Sequence, residues 1–220
     1  MLFFSKIKQQ DINHFMTYSN SGIIKETQPP LTERFDELWK ELINGNKDAF
    51  MQIYSNHYPI LFSYGLKLSG DRELTRDCIQ EVFIEIWTRR EKLREVWSVK
   101  SYLLTIFRRT ILKKLEVEHK KVGIDPDSNP VGQIEFSHED FLIKKQGADE
   151  WKKKLLFALG KLPQRQKEII YLRFFDNLDY QEISEITTLN YQVVRNQVYK
   201  AMLKLKKIMH LILLPLLFMV

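Results

Sequence analysis

From residue 35 onward, apolar positions recur at three- and four-residue spacing along most of the chain. Phe35, Leu38, Trp39 and Leu42 share one helical face, with Thr32 as a candidate cap. Asn44-Gly45-Asn46 breaks the pattern, and Ala49, Phe50, Ile53 and Tyr54 set a second helix from about Lys47. Pro59 has no amide hydrogen, so a kink or break is expected there before the spacing resumes from Ile60 to Leu68. Ser69-Gly70-Asp71 reads as a break followed by a cap. The most regular helix then runs from Asp71 to about Arg90. Leu74, Cys78, Val82 and Ile86 repeat every four residues, and Ile79, Phe83 and Trp87 widen the stripe. Asp77, Glu81 and Glu85 form an acidic row on another face. Residues 91–98 make a loop that contains Trp97, and Ser98 caps a helix holding Tyr102, Leu103, Ile106, Ile111 and Leu112.

Residues 119–150 read as a linker, crowded with Gly123, Pro126, Ser128, Asn129, Pro130 and Gly132. A helix from Trp151 to Leu162 is closed by Pro163. Another runs from Gln164 to about Phe175, with Ile169, Ile170, Leu172 and Phe174 apolar, and Asp176-Asn177 ends it. The next stretch, 180–200, predicts two helices joined by a tight turn. Ile183 and Ile186 lie on one face of the first, with Gln181, Glu182 and Glu185 toward solvent. The turn is Thr187-Thr188-Leu189-Asn190. Asn190 can cap the second helix, and Thr188 stands where such turns often hold Gly. Val194, Val198, Ala201, Met202 and Leu205 give the second helix an apolar face. Its other face carries Gln192, Arg195, Asn196, Tyr199 and Lys200, side chains that bond phosphates and base edges. A helix-turn-helix needs this combination, although a plain helical hairpin with a solvated face has the same spacing. The fold expected is all-α: two small helical domains joined by a flexible acidic linker, the second containing a helix-turn-helix.

Charge sharpens the picture. The 220-residue chain has a net charge of +6. Residues 151–220 hold 12 Lys/Arg against 5 Asp/Glu, whereas residues 119–150 hold 4 against 7. The cationic surplus therefore falls with the helix-turn-helix, as phosphate binding requires. Lys100, Arg108, Arg109, Lys113 and Lys114 line the helix after Ser98, and no acid appears before Glu116. Aromatics beside such a stripe suit single-stranded nucleic acid, because charge follows the backbone and rings stack on bases. A solvated basic face has the same composition. The acidic row likewise fits either solvent or a basic partner.

A single cysteine, Cys78, permits no intrachain disulfide and fits a reducing, cytoplasmic setting. It reads as a buried small hydrophobe. The five histidines are scattered, so no metal and no cofactor are expected. No phosphate-cradling glycine loop or nucleophile elbow is present, and nothing supports an enzyme or a small-molecule substrate. Residues 1–30 lack clean periodicity and are expected to be a weakly ordered extension. The N-terminal apolar run ends after three residues, too short for a signal peptide. The tail from His210 to Val220 is apolar but shorter than the about 20 residues that span a bilayer. It reads as a docking segment, with membrane association as the alternative.

Several of these pieces resemble one family. Ala49-Phe50 with Tyr54 and Tyr58-Pro59, the run Asp77-Cys-Ile-Gln-Glu-Val-Phe-Ile-Glu-Ile-Trp87, and Ser101-Tyr-Leu-Leu-Thr-Ile-Phe-Arg-Arg109 resemble the promoter-melting domain of bacterial sigma-70-type factors. The run from Leu162 to Phe175 with the helix-turn-helix resembles their fourth domain. Two such domains with only a linker between them resemble the extracytoplasmic-function (ECF) subgroup. On this resemblance residues 31–118 are the region 2-like domain, 119–150 the linker, 151–207 the region 4-like domain and 208–220 the apolar tail.

The resemblance implies a sigma factor that binds core RNA polymerase and promoter DNA. Asp77, Gln80, Glu81, Phe83 and Trp87 would dock on the β′ clamp. Lys92, Arg94 and Trp97 of the loop, with Lys100, Tyr102, Arg108, Arg109 and Lys113, would read and open the minus-10 element. One base would be flipped into a pocket. Asn190, Gln192, Arg195, Asn196, Gln197, Tyr199 and Lys200 would read the minus-35 element, with the second domain seated on the β flap. The acidic linker would pass through a cationic channel of the polymerase. An anti-sigma factor, membrane-bound in some cases, would hold the protein inactive, with the N-terminal extension or the tail as its handle. The sequence departs from the common family pattern in having Tyr102 for Trp, Arg109 for Asn and Gln197 for Arg. Those changes bear on promoter sequence rather than fold. A helix-turn-helix regulator acting without polymerase, or a structural helical adaptor, are the alternatives. Neither has a use for the Gln80, Phe83, Trp87 row beside a basic-aromatic helix.

Overall fold

The computed structural model describes residues 31–122, 132, 134–136 and 148–217, and all regular structure among them is helical. The N-terminal extension, most of the linker and the last three residues lie outside the described residues.

Short polar side chains fix where the helices begin. Helix α1 spans Leu31–Ile43, so Thr32 lies within it rather than capping it. Asn46 Oδ1 accepts from the amides of Asp48 and Ala49 and starts α2, Lys47–Ser69. Gly70 closes α2 in the left-handed region, at φ 68°. Asp71 Oδ1 then accepts from Glu73 and Leu74 to start α3, Arg72–Arg89. A 3-10 turn at Arg90–Lys92 leads to a loop, and Ser98 Oγ accepts from the Ser101 amide to start α4, Val99–Val122.

Helix α2 runs through Pro59 unbroken, contrary to the break expected from sequence. Pro59 is exposed, so the carbonyl that loses its partner can face water. Ile53, His57, Leu61 and Tyr64, on either side of it, are all buried. Their packing holds both halves in one line.

Two compact units divide the chain. The first takes in Gln28–Glu135 and Leu178–Gln197. In it α2 packs on α1, α3 and α4, and α3 packs on α4. Leu74, Cys78, Ile79, Val82, Phe83 and Ile86 of α3 are buried, matching the stripe read from sequence. Burial pushes the Cys78 thiol up to about 11, as expected of a core residue. On α4 the buried stripe is Leu103, Leu104, Phe107, Ile111 and Leu115, whereas Ile106 and Leu112 are only half-buried. Ile134, inside the segment read as linker, is completely buried.

Gly65 sets the spacing of this core. A Cβ there would lie 2.5 Å from Phe107 Cζ and 2.6 Å from Thr75 Cγ2. Only a missing side chain lets α2 approach both neighbours so closely. Gly65→Ala is therefore expected to destabilise the fold by about 1–3 kcal/mol through overpacking. Urea unfolding of the two proteins checks this; an unchanged midpoint would contradict it.

The second unit includes Phe136–Asn177 and Val198–Val220. Helix α5 is Ala148–Gly160 and α6 is Gln164–Phe174. Ala158, Leu159, Leu162, Ile169, Ile170, Tyr171 and Leu172 are buried, with Ala201 and Leu205. Tyr171 and Phe175 stack at 5.4 Å, and Phe136 tilts against both. Lys204 Nζ donates to Lys161 O at 2.6 Å. Helix α7, Tyr180–Thr187, falls in the first unit, and α8, Tyr191–Leu217, continues into the segment read as tail. Among the described residues, no helix is long and apolar enough to cross a membrane.

Candidate nucleic-acid and polymerase interfaces

The turn between α7 and α8 is built by local chemistry. Asp179 and Glu182 form a reciprocal capping box at the start of α7. Thr188 ends α7 with φ 55° and ψ 31°, a left-handed conformation that a β-branched residue adopts at a cost. Leu189 N donates to Ser184 O at 3.0 Å, closing the helix end. Asn190 Oδ1 accepts from the Gln192 amide at 2.8 Å and caps α8. Thr188→Gly should relieve the strained turn and raise stability by about 1 kcal/mol. A higher thermal midpoint would show it.

Burial of Val194 and Val198 fixes the rotation of α8. Asn190, Gln192, Arg195, Asn196, Tyr199 and Lys200 are consequently exposed, and Gln197 is half-buried. Gln192 Nε2 donates to Asn196 Oδ1 at 3.3 Å, one turn along. The exposed face thus offers a guanidinium, an ammonium, three carboxamides and a phenol, a donor-rich set matched to phosphates and to purine edges.

The second basic surface lies on α4 and the loop before it. Trp39 Nε1 donates to Arg94 O at 2.9 Å, pinning the loop onto α1. The Trp39 ring meets Tyr102 edge-on at 5.3 Å. Trp97, in contrast, is 68% exposed, and Lys92 and Arg94 are exposed beside it in sequence. A cleft of about 1320 Å³ brings together Lys92, Tyr102, Arg108, Arg109 and Lys113. Arg94, Trp97 and Lys100 are not among its walls. Burial, with the Glu85 carboxylate, pushes the Tyr102 phenol up, while Arg109 pulls it down, so the phenol stays a neutral donor.

The expected polymerase row splits in two. Asp77, Gln80 and Glu81 are exposed and Trp87 is half-buried. Phe83 is 2% exposed and packs edge-on against Phe50 at 5.9 Å and Tyr54 at 4.8 Å. It supports the row from beneath and is not itself on the surface. Glu81 Oε2 pairs with Lys114 Nζ at 2.6 Å, and this bond holds the Lys114 ammonium pKa up. Arg90 lies 4.8 Å over the Trp87 ring.

Two neighbours of this row escaped the sequence reading. Met51 and Ile84 are 58% and 57% exposed and, with Phe50 and Trp87, line a shallow apolar cleft. Their signal was present: each is apolar at a position where its helix faces solvent. Exposed apolar groups clustered in this way mark interaction surfaces.

Comparisons with known proteins identify the family. Residues 53–120 match the family description "Sigma-70 region 2", and residues 152–205 match "Sigma-70, region 4". The RNA polymerase sigma factor SigV of Bacillus subtilis is 35% identical over 152 residues, covering 69% of this chain and 82% of that protein. The ECF RNA polymerase sigma factor SigK of Mycolicibacterium vanbaalenii is 20% identical over 189 residues, covering 81% and 91% of the two chains. Among solved structures, CnrH in complex with the cytosolic domain of CnrY shares the fold. Its TM-score is 0.52 at 16% identity, over 80% of this chain and 96% of that one. The chain belongs to the sigma-70 family of RNA polymerase sigma factors, in the ECF group. It is a non-catalytic subunit that directs RNA polymerase to promoters and starts transcription there.

Proposed function

We propose that this sigma factor reads a two-part promoter through the two basic surfaces described above, in the cytoplasm. The observation that carries the reading is the pinned loop beside α4. Trp39 fixes its backbone while Trp97 stays free to stack on an unpaired base. On this reading the loop and α4 engage and open the minus-10 element. Asn190, Gln192, Arg195, Asn196, Gln197, Tyr199 and Lys200 enter the major groove at minus-35. Asp77, Gln80, Glu81 and Trp87 dock on the polymerase β′ clamp, with Met51 and Ile84 extending that face and Phe83 beneath it. The domain limits 31–118 and 151–207 follow, with residues 119–150 as a flexible acidic linker through the polymerase and the second domain on the β flap.

An anti-sigma factor completes the set of partners. The Bartonella quintana sigma factor RpoE, a fold relative at TM-score 0.51 and 19% identity, was solved with the anti-sigma factor NepR. We assign the apolar segment 208–220, or the N-terminal extension 1–30, as the handle for such a partner.

Run-off transcription from fragmented genomic DNA, with core polymerase and with or without this protein, tests the reading. Discrete new transcripts sharing a two-part upstream motif are expected. Without new transcripts, a footprint by the protein alone would instead make it a regulator acting without polymerase.

A further inference from the structure

Helix α8 changes character along its length. Ala201 and Leu205 seat its middle in the second unit. Beyond Leu205 the cover thins: Lys206 and Lys207 are exposed, and Ile208 and Met209 are only half-buried. The backbone nevertheless continues as helix to Leu217. Residues 211–220 are ten consecutive apolar residues, Pro215 among them. A helix that is apolar on every side is covered either by a protein core or by lipid.

Charge, surroundings and length favour lipid. None of residues 186–220 is Asp or Glu, and five are Lys or Arg. Three of those, Lys204, Lys206 and Lys207, fall within two turns of the apolar run. The end of α5 adds to them. Lys204 Nζ donates to Lys161 O at 2.6 Å, and Lys161 Nζ stands 5.1 Å from the Phe157 ring centre. Phe157 is 54% exposed, and Leu203 is 49% exposed. Lysines and exposed apolar groups are therefore joined where α8 leaves the unit. Ten helical residues rise about 15 Å, half of a hydrocarbon core of about 30 Å. The segment is long enough to enter one leaflet and too short to cross. Duplex DNA would take the lysines but has no use for the apolar run. A short hydrophobic anchor holds to a bilayer only with a second signal such as a basic patch, and both stand together on this helix.

We infer that the distal part of α8, residues 203–220, with Lys161 and Phe157, is a docking surface for an anionic lipid bilayer. The lysines meet the headgroups and the apolar run enters the near leaflet. This goes beyond the handle reading above, in which the same segment meets a protein, and it does not rest on the promoter reading.

An environment-sensitive dye on a cysteine introduced at Met219 of the full chain reads insertion. Cys78 is fully buried and stays unlabelled. A blue shift is expected with vesicles of equal parts phosphatidylglycerol and phosphatidylcholine, and a much smaller one with phosphatidylcholine alone. Lys206→Gln/Lys207→Gln changes two exposed side chains and should weaken binding to the anionic vesicles about 25-fold, roughly five-fold per lysine. Leu213→Asp/Leu216→Asp keeps every cation and should lose both the shift and co-sedimentation with the vesicles. No shift with anionic vesicles would overturn the proposal. So would equal co-sedimentation of the aspartate variant, because the DNA-facing cations alone would then hold the lipid. A shift that needs no lipid and grows with protein concentration would make the segment a contact between copies, which also overturns it. Run-off transcription uses no lipid, so failure here leaves the promoter reading standing, and absence of transcripts leaves this one standing.

Discussion

Replacing Arg108 and Arg109 together with Ala is expected to slow strand opening at a cognate promoter by about 100-fold while sparing polymerase binding. Hydrogen bonds to charged groups are worth roughly 1.5–3 kcal/mol each, so loss of two to the DNA backbone gives about 3 kcal/mol or more. The fold should tolerate the change. Arg109 is exposed on the side of α4 opposite Leu104, Phe107 and Ile111, and Arg108 is half-buried at the edge of that buried stripe rather than within it. The row of Asp77, Gln80 and Trp87 lies on α3 and is untouched. Permanganate reactivity of unpaired thymines, followed over time, reads opening. Co-purification with core polymerase reads docking. Normal opening would place both arginines outside the melting surface. Lost docking with a normal unfolding curve would move them to the polymerase interface.

Helical periodicity carried most of the fold into view because nearly every helix buries one stripe and exposes the rest. The α3 stripe of Leu74, Cys78, Val82 and Ile86 could be read off directly and is buried throughout. Asn190 and Ser98 were legible as caps for the same reason: a short polar side chain before an apolar run has one common use. Pro59 misled because its local cost is real but smaller than the packing of Ile53, Leu61 and Tyr64 around it. Phe83 shows where motif and period disagree. The motif placed it in a docking row, whereas its register on the apolar stripe places it in the core, and burial follows register. The Trp39–Arg94 bond and the Ser98–Glu182 pair had no local signature, since each joins segments far apart in sequence. Glu182 and Glu185 read as solvent-facing because a helix pattern shows which face is polar, not what meets it. The roles proposed for the exposed residues of α8 follow from motif resemblance and exposure, and binding measurements assign them base by base.

Such an assignment is available at Arg195, where Arg195→Ala is expected to weaken minus-35 binding by about 1–3 kcal/mol, roughly 5- to 150-fold. Val194 and Val198 are buried on either side of it, so the helix cannot rotate to hide or replace the guanidinium. Its neighbour Asn196 is already engaged with Gln192, which leaves Arg195 as the rigid fork of this face. A bidentate contact reads one base pair, so the loss should be concentrated at one promoter position, and the variant should tolerate substitution there. Lys200→Ala provides the contrast. It lies more than a turn further along the same exposed face, and an ammonium on phosphate carries no sequence information. That variant should bind all minus-35 sequences more weakly by a similar factor, with the slope of log affinity against log salt reduced by about 1. Binding of fork-junction promoters by the polymerase holoenzyme, across a set of single minus-35 substitutions and three salt concentrations, separates the two behaviours. A uniform loss for Arg195→Ala with a changed salt slope would make it a phosphate anchor, and base reading would then fall to Gln192 and Asn196.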